Sequence, residues 1–514
     1  MSLMPELREL NGQKVLHVDG KPFLILSFQL NCDSCYDPHH IDRLMEQARR
    51  MGCNTVALLL YWRLIEPQEG KFDYSILESM LNSAVKHDLR IVLVWFGSYK
   101  NATMHYAPDW ITSDRATYRR AHNMAGDEIP WVACPMCEAL IEKDCRAVSN
   151  VFSFLRDNDV THRVILFQVN NETGLLGGTA RCHCPECEAA YAKKDYAALY
   201  GENAEEAFTA ECILAFQERI AQRAKAIYPL PCYMNAWLAF PSPDSIAGVT
   251  YPSGGPNYRV LDIYCENKRY IDMVCPDIYV PGYRDFHRVC NDYKRPGNPL
   301  YVAEHALGST SRAYKNVYYA FGEFAALGMD PWAIDCAYPD VMEKALCDAI
   351  HLRWNDEAYE MLYSYMPIRN AMIPVAKNMG TDRMKYWVQE ESETDTALDF
   401  GDVKIKIEFA KPKNGQARGI AIRMGVNEFV MLGCYTLAHF YRANGHLLNM
   451  KRSMRGYFED EIFIKTGENT MMGQDHGKQR LLMHEGMVHY IELETQKDAV
   501  VNTTDVQTMV DILA

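Results

Sequence analysis

The chain repeats one pattern of apolar and polar positions from residue 23 to about residue 380, a short apolar run followed by a helical stretch. Its first full copy is YDPHHIDRLMEQARRMGCNTVALLLYW. Asp37 can cap a helix, Pro38 suits a first helical turn, and Gly52 can end the helix. The apolar residues of one helical face lie between these points, at Ile41, Leu44, Met45, Ala48 and Met51. The pattern predicts a helix that leads into a strand.

The apolar runs that can form buried strands number eight, at 23–27, 55–60, 91–96, 164–169, 231–235, 273–279, 300–304 and 329–335. Eight parallel strands alternating with helices close into a (β/α)8 TIM barrel, whose active site lies at the carboxyl ends of the strands. We assign residues 23–380 to this barrel. The preceding segment LNGQKVLHVDGKP predicts a hairpin within residues 1–22, with turns at Asn11-Gly12 and Asp19-Gly20.

The pattern changes after about residue 380, where strict alternation (VKIKIEFA) and short β-like runs (GIAIRMG, EFVMLGC) replace the helical stretches. Residues 381–514 are therefore expected to form a C-terminal β-sandwich-like domain. Nothing in this region has a catalytic pattern, so we expect a packing or oligomerisation role, with sugar binding as the alternative. We expect the protein to be a homo-oligomer.

Composition and charge narrow the classes of partner. The 514 residues are 48% hydrophobic and carry a formal net charge of −14, which argues against nucleic-acid and anionic-membrane partners. No apolar stretch approaches a membrane span, and the opening MSLMPELREL has charges where a signal peptide would be apolar. The 17 cysteines are typical of reduced thiols or metal ligands rather than of a disulfide framework. We expect a cytoplasmic protein.

Two glutamates follow buried-strand patterns directly. The run VILFQVNNETGLLGG places Glu172 just past the fourth predicted strand, and NPLYVAEHALG places Glu304 at the end of the seventh. Each alone could be an ordinary loop or structural carboxylate, but together they can face each other across the barrel. A retaining glycosidase needs this arrangement, with one carboxyl as acid/base and the other, about 5–5.5 Å away, as nucleophile. Burial and the neighbouring charge would raise the pKa of the acid.

These residues resemble the β-galactosidases of glycoside hydrolase clan A, in family 42 and the related bacterial branch of family 35, over roughly residues 10–375. The stretch YWRLIEPQEGKFDY, from Tyr61 to Tyr74, resembles their W-x-x-x-E-P-x-x-G-x-F-D motif. The resemblance implies that Glu172 is the acid/base and Glu304 the nucleophile, and that Asn171 binds the 2-hydroxyl of the sugar.

The resemblance also implies two aromatic contacts, Tyr279 as the hydrogen-bond partner of the nucleophile and Trp332 as the sugar platform. Many family 35 relatives have an acidic residue where this chain has Asn170, so the linkage and the exact sugar stay open. Other aromatic side chains cluster near strand ends, and we include Trp95 among the candidate substrate-binding residues. Packing in the core is the alternative for Trp95.

A second group of candidate residues is the cysteine cluster RCHCPECEAAY, preceded by WVACPMCEA. Tetrahedral zinc takes four Cys or His ligands, and a set of buried reduced thiols is the alternative. The resemblance favours a structural zinc, because several family 42 enzymes hold one with a C-x-C-x2-C spacing and an earlier Cys-Pro. The candidate ligands are Cys182, Cys184, Cys187 and, as the fourth, Cys134 or Cys137, with His183 as a substitute.

The function that the sequence predicts is therefore a retaining glycoside hydrolase, a β-galactosidase that cleaves terminal β-D-galactosyl residues by double displacement. The alternatives are a retaining β-glycosidase of the same clan acting on another sugar, a non-catalytic carbohydrate-binding barrel, and a zinc hydrolase that uses the cysteine cluster. An open metal coordination position would favour the zinc hydrolase, and four thiolate ligands would count against it.

Overall fold

The computed structural model of the chain describes residues 3–280, 282–306, 312–333, 354–390, 393–410, 415–468 and 478–495. It divides into two compact units, Met1–Tyr365 and Met366–Ala514.

The first unit contains the predicted barrel. Its eight parallel strands are numbered here in chain order, so that "the fourth barrel strand" is Val164–Gln168. The hydrogen bond from the Ala57 N–H to the Phe28 carbonyl oxygen, at 2.9 Å, links the first and second strands and closes the ring. The barrel strands are Ile25–Leu26, Thr55–Tyr61, Arg90–Phe96, Val164–Gln168, Cys232–Trp237, Met273–Ile278, Val302–His305 and Gly328–Pro331. The predicted (β/α)8 TIM barrel is confirmed.

The strand bounds differ from the prediction mainly at the first and eighth strands. The regular part of the first strand is only Ile25–Leu26, because the chain then pairs irregularly with both neighbours through Gln29. The eighth strand ends at Pro331, and the predicted positions 334–335 lie outside the described residues. The second strand is buried along its whole length, which explains its unbroken apolar run.

The helix that opens the repeat begins where the sequence predicts. Asp37 accepts a hydrogen bond from the His39 backbone N–H at 3.0 Å, and Gly52 follows the helix with φ +85°. None of the helices in the described ranges is long and apolar enough to cross a membrane. The α-helices of this unit are Pro38–Arg50, Trp62–Ile65, Ser75–Lys86, Asp109–Thr112, Glu138–Asn158, Pro185–Tyr191, Tyr196–Tyr200, Ala204–Ile227, Leu261–Asn267, Tyr283–Tyr293 and Ala313–Gly322. Gly201–Asn203 forms a 3₁₀ helix, and Trp354–Asn370 continues into the second unit.

Two small sheets accompany the barrel. Glu6–Leu10 and Gln13–Val18 form the predicted hairpin, to which Lys21–Pro22 adds a third strand. Asn11 and Gly12 both have positive φ, at 53° and 73°, as a two-residue hairpin turn requires. The other sheet pairs Arg120–His122 with Glu128–Ala133.

The second unit contains two antiparallel sheets, one of six strands and one of four. Both contribute to one apolar core, in which Ile405 and Phe440 of the smaller sheet lie with Met431 and Ile491 of the larger sheet. The predicted β-sandwich-like fold is confirmed. Its strands are Met384–Val388, Asp395–Asp399, Val403–Phe409, Arg418–Arg423, Glu428–Cys434, Thr436–Arg442, Met450–Glu459, Ile462–Glu468, Leu481–Met483 and Met487–Leu493, after the helix Met372–Asn378.

Candidate active site and metal centre

A cavity of about 420 Å³ lies at the carboxyl ends of the barrel strands. The segments that follow all strands except the second contribute to its lining, as expected where eight parallel strands end on one rim. It is lined by Gln29, Cys32, Phe96, Lys100, Asn101, Asn171, Glu172, Trp237, Leu238, Phe240, Asp277, Tyr279, Val280, Glu304 and Trp332. The predicted residues Asn171, Glu172, Tyr279, Glu304 and Trp332 are therefore brought together.

The two predicted glutamates face each other in this cavity. A carboxyl oxygen of Glu172 lies within 4.8 Å of a carboxyl oxygen of Glu304, and the two residues are only 7% and 5% exposed. Retaining glycosidases hold their two catalytic carboxyls about 5–5.5 Å apart, whereas inverting glycosidases hold them about 6.5–9.5 Å apart. The geometry allows one carboxyl to attack a sugar carbon while the other protonates the oxygen that leaves.

Glu304 is surrounded by hydrogen-bond donors that favour its charged form. The Tyr279 hydroxyl donates to Oε2 at 2.6 Å, while Gln29 Nε2 and Asn235 Nδ2 donate to Oε1 at 3.0 and 3.4 Å. Burial raises the pKa of Glu304, and the hydrogen bonds from Tyr279 and Gln29 oppose that shift. A carboxylate held by several donors is suited to remain ionised and act as a nucleophile.

Glu172 has an environment that favours the protonated form. Burial, and after it the charge of Glu304, raises the pKa of Glu172 to about 8, while Lys100 opposes the shift. Its backbone has φ +44°, a conformation that non-glycine residues rarely adopt, and its N–H donates to Asn235 Oδ1 at 2.8 Å. The fold therefore holds an acidic group with a raised pKa opposite a carboxylate.

Asn171 lies within a network of side-chain amides beside the glutamates. Its Oδ1 accepts hydrogen bonds from Gln168 Nε2 at 2.8 Å and Asn235 Nδ2 at 3.1 Å, and its Nδ2 donates to Asn101 Oδ1 at 3.0 Å. The network fixes the amide orientation in the pocket. The neighbouring Asn170 points elsewhere, because its Oδ1 accepts the backbone N–H groups of Gly97 and Tyr99.

Trp95 is not part of the pocket, contrary to its prediction as a substrate-binding residue. It is fully buried, and its indole N–H donates to Asp144 Oδ1 at 2.8 Å. Side chains of a strand alternate in direction, so a tryptophan near a strand end can enter the core instead of the cavity. Trp237, the last residue of the fifth barrel strand, does line the cavity.

The motif in YWRLIEPQEGKFDY is a structural support, since neither Trp62 nor Glu66 lines the cavity. Glu66 is fully buried and accepts hydrogen bonds from Trp62 Nε1 at 3.0 Å and the Gly70 backbone N–H at 2.8 Å. Arg146 forms an ion pair with the same carboxylate. The motif thus ties the loop after the second barrel strand to the helix Glu138–Asn158.

The pocket and network residues missed from the sequence include Gln29, Lys100, Asn235 and Asp277. Asn235 and Asp277 lie in the fifth and sixth barrel strands near their carboxyl ends, so the strand-end rule that found Glu172 and Glu304 would have found them too. Gln29 and Lys100 lie in irregular segments after strands, where no pattern of apolar and polar positions predicts the direction of a side chain.

Four buried cysteines converge in a second place in the first unit, at Cys134, Cys182, Cys184 and Cys187. Their sulfur atoms all lie within 4.8 Å of one another, and the Sγ of Cys134 is 3.7–3.8 Å from each of the other three. Four thiol sulfurs this close to one another could hold one metal ion. Cys134 directly follows the strand Glu128–Ala133, Cys182 and Cys184 precede the helix Pro185–Tyr191, and Cys187 lies in its first turn.

Cys137 and His183 are not part of this group of four cysteines. The Sγ of Cys137 accepts the Arg119 backbone N–H at 3.2 Å and lies 3.6 Å from the Thr117 carbonyl oxygen. The Nδ1 of His183 bonds to Glu188 at 2.7 Å. The sequence left the fourth position open between Cys134 and Cys137, and Cys134 is the one that lies with the other three sulfurs.

The fold and the cavity define the class of protein: the chain is a (β/α)8-barrel protein with two carboxyl groups close together at the ends of its fourth and seventh strands. Residues 35–209 match the family 42 glycoside hydrolase model, described as β-galactosidase. A segment of 78 residues, 15% of this chain, is 35% identical to a β-galactosidase of Xanthomonas manihotis. The crystal structure of the β-galactosidase from Marinomonas ef1 covers 67% of this chain with a TM-score of 0.50 and 14% identity. The predicted resemblance to family 42 β-galactosidases is confirmed.

These matches extend over only part of the relatives. The chain covers 13% of the Xanthomonas manihotis protein and 59% of the Marinomonas chain, so the structural match supports the barrel fold alone. Residues 357–468 match a second family model, described as a domain of unknown function.

Proposed function

We propose that the chain is a retaining β-galactosidase that releases terminal β-D-galactosyl residues by double displacement. The observation that carries the proposal is the pair Glu172 and Glu304, buried and within 4.8 Å of each other at the strand ends of a barrel. The family match over residues 35–209 supports galactose as the sugar.

In the first step, Glu304 attacks the anomeric carbon while Glu172 gives its proton to the glycosidic oxygen. The donors on Glu304 keep it ionised for this attack, and Tyr279 gives the shortest of these hydrogen bonds. Burial and the charge of Glu304 keep Glu172 protonated near neutral pH. The products are a covalent galactosyl ester on Glu304 and a free aglycone.

In the second step, Glu172 removes a proton from water, which attacks the anomeric carbon and releases galactose. The negative charge of Glu304 is absent from the ester, so one of the two causes that raise the pKa of Glu172 is gone. The pKa of Glu172 therefore falls, and Glu172 stays ionised as a base at the moment when a base is needed. The same carboxyl serves both steps because its neighbour changes charge.

The sugar is held by the residues around this pair. Asn171 lines the cavity beside Glu172, where its side-chain amide can bond to the 2-hydroxyl. Trp332 lines the cavity beyond the eighth strand and supplies an aromatic face for the C–H groups of the ring. Trp237 and Phe240 line the fifth-strand side of the cavity and add apolar wall there.

The cysteine group holds a structural zinc ion in this proposal. A Zn–S bond of about 2.3 Å places tetrahedral sulfurs about 3.8 Å apart, which agrees with the 3.7–3.8 Å separations from Cys134. Four thiolates complete the coordination of zinc, so the ion would stabilise the fold and take no part in the reaction. This assignment argues against the zinc hydrolase alternative.

Two further expectations from the sequence belong to the proposal. We keep the cytoplasmic location that the sequence predicts from its 17 cysteines, which are typical of reduced thiols or metal ligands. The homo-oligomeric state stays a prediction of the sequence.

The test combines a substrate panel with stereochemistry. Chromogenic β-glycosides of galactose, fucose, arabinose, glucose and mannose should show the fastest turnover for galactose. Proton NMR of the first-formed sugar should show β-galactose before mutarotation. An initial α-product would overturn double displacement. Faster turnover of another glycoside would show that galactose is not the preferred sugar. Binding of galactose without turnover of any glycoside would show that the protein is a carbohydrate-binding barrel and not an enzyme.

A further inference from the structure

A third carboxyl group lies in the pocket and has no role in the two steps above. Asp277 is 2% exposed, and its carboxyl oxygen lies within 4.8 Å of those of both Glu172 and Glu304. Parallel pairing of the sixth and seventh strands places its Cα directly beside that of Glu304. Its position is therefore set by the barrel and not by a loop.

The two oxygens of Asp277 have different surroundings. Oδ2 accepts a hydrogen bond from Asn235 Nδ2 at 2.8 Å, whereas Oδ1 receives none from the donor groups of the described residues. The carboxyl of Glu172 lies within 4.8 Å of this carboxyl group. Three buried carboxyl groups this close to one another cannot all stay ionised, so the cluster holds at least one proton.

The donors in the pocket determine which carboxyl stays ionised. Glu304 receives three hydrogen bonds from side chains, while Asp277 receives one. Burial raises the pKa of both glutamates, and Lys100, the cation among the lining residues, opposes that rise. Burial, followed by the charges of Glu304 and Glu172, raises the pKa of Asp277 well above its usual range.

We propose that Asp277 keeps a proton throughout the reaction cycle and is the positioning residue of Glu172, to which its carboxyl O–H donates. The proposal rests on the proposed function. When Glu172 has given its proton to the leaving oxygen, the new carboxylate accepts this O–H hydrogen bond. Water then returns a proton to Glu172, and Asp277 ends the cycle with the proton that it began with.

This contact would matter most in the second step. A hydrogen bond to the charged form of a carboxyl favours that form. Asp277 would therefore hold Glu172 as an ionised base in the galactosyl-enzyme and fix the direction of its oxygens. The carboxylate would be more basic without the donor, so Glu172 would become protonated at a higher pH.

The test compares Asp277→Asn, which keeps an N–H donor, with Asp277→Leu, which has a similar volume and no donor. Turnover of an aryl β-galactoside with a good leaving group is measured against pH, under conditions where release of galactose limits the rate. Asp277→Asn should stay within about threefold of the wild type. Asp277→Leu should lose at least about tenfold, and the acid limb of its pH profile should move up by about one pH unit, as loss of a hydrogen bond to a charged group predicts.

Glu206→Gln is the matched control, because Glu206 is a buried carboxyl that bonds to Tyr251 and Asn257 and does not line the cavity. It should leave the acid limb unchanged. An unchanged limb in Asp277→Leu would overturn the positioning role. A loss in Asp277→Asn as large as that in Asp277→Leu would also overturn it, since the position would then need a negative charge.

Infrared difference spectroscopy tests the proton without any substrate. The spectrum of the wild type minus that of Asp277→Asn at pH 7 should contain the C=O band of a protonated carboxyl group. A band of ionised carboxylate in its place would overturn the proposal, even if Asp277→Leu did not fold. Because this measurement does not depend on turnover, failure of the proposed β-galactosidase activity is distinguished from failure of the Asp277 assignment.

Discussion

The side-chain oxygen of Asn235 accepts a hydrogen bond from the backbone N–H of Glu172 at 2.8 Å. Glu172 has the rare positive φ of 44°, and this contact from the neighbouring fifth strand helps to hold it there. The amide nitrogen of the same Asn235 donates toward Asn171, Asp277 and Glu304. One amide therefore connects the backbone of the proposed acid/base to the rest of the pocket.

The first prediction concerns this amide. Asn235→Ala should lower kcat for aryl β-galactosides by about 100-fold, because a displacement of about 1 Å in a reacting group costs that much. Asn150→Ala is the control, since the Asn150 amide bonds to the backbone of its own helix at Arg146. Thermal melting should show both variants folded. Equal kcat in the two variants would mean that Asn235 does not position Glu172.

The second prediction separates the two glutamates. Glu304→Ala should abolish galactosyl-enzyme formation with every substrate, because the nucleophile is missing. Glu172→Ala should lose about 10²–10⁴-fold with poor leaving groups and much less in the first step with leaving groups that need no protonation. Pre-steady-state release of an activated phenol measures that first step. Equal losses for both variants with the activated substrate would contradict the assignment of roles.

The third prediction concerns the metal. The protein should contain one zinc ion per chain by elemental analysis, and Cys184→Ser should lose it. Its melting temperature should fall by several degrees, since each kcal/mol lost lowers Tm by roughly 2–4 °C in a domain of 150–250 residues. The folded fraction should keep near-normal kcat, because none of the four cysteines lines the cavity.

Cys137→Ser is the matched control for the metal, because Cys137 is buried nearby and its sulfur bonds to Arg119 and Thr117. It should retain the zinc. Loss of zinc in Cys137→Ser together with its retention in Cys184→Ser would show that the ligand set is wrong.

The fourth prediction concerns the pH dependence of stability. Asp330 is fully buried and accepts hydrogen bonds from Ser27 and Tyr301, and burial raises its pKa to about 7. Its usual pKa is 3.8, so the folded state keeps a proton that the unfolded state releases between pH 4 and pH 7. This contribution to the free energy of unfolding is present below pH 4 and is lost as pH rises through 7.

Asp330→Asn cannot titrate and should therefore be more stable relative to the wild type at pH 8 than at pH 4. The difference should be on the order of 1.4 kcal/mol for each unit of pKa shift. Urea unfolding of both proteins at the two pH values measures it. A difference between the proteins that does not change with pH would show that Asp330 is ionised in the folded state throughout this range.

The sequence by itself determined the order of elements and the two residues at the centre of the pocket. Apolar runs followed by helical periods predicted all eight barrel strands, because parallel strands buried on both faces must be continuously apolar. Glu172 and Glu304 were found because a charged residue directly after such a run lies at the active rim of a barrel. The spacing of Cys182, Cys184 and Cys187 could also be recognised from the sequence, because the three residues lie in one short stretch of the chain.

Only the tertiary structure decided which other side chains meet. Trp95 and Trp237 both lie near strand ends, yet one is buried against Asp144 and the other lines the cavity, because side-chain direction depends on strand register. The choice of Cys134 over Cys137 depended on the path of the chain between two distant segments. Asp277 could be placed on a strand from its pattern, but its proximity to Glu172 depends on barrel closure, which brings together groups that are far apart in the chain.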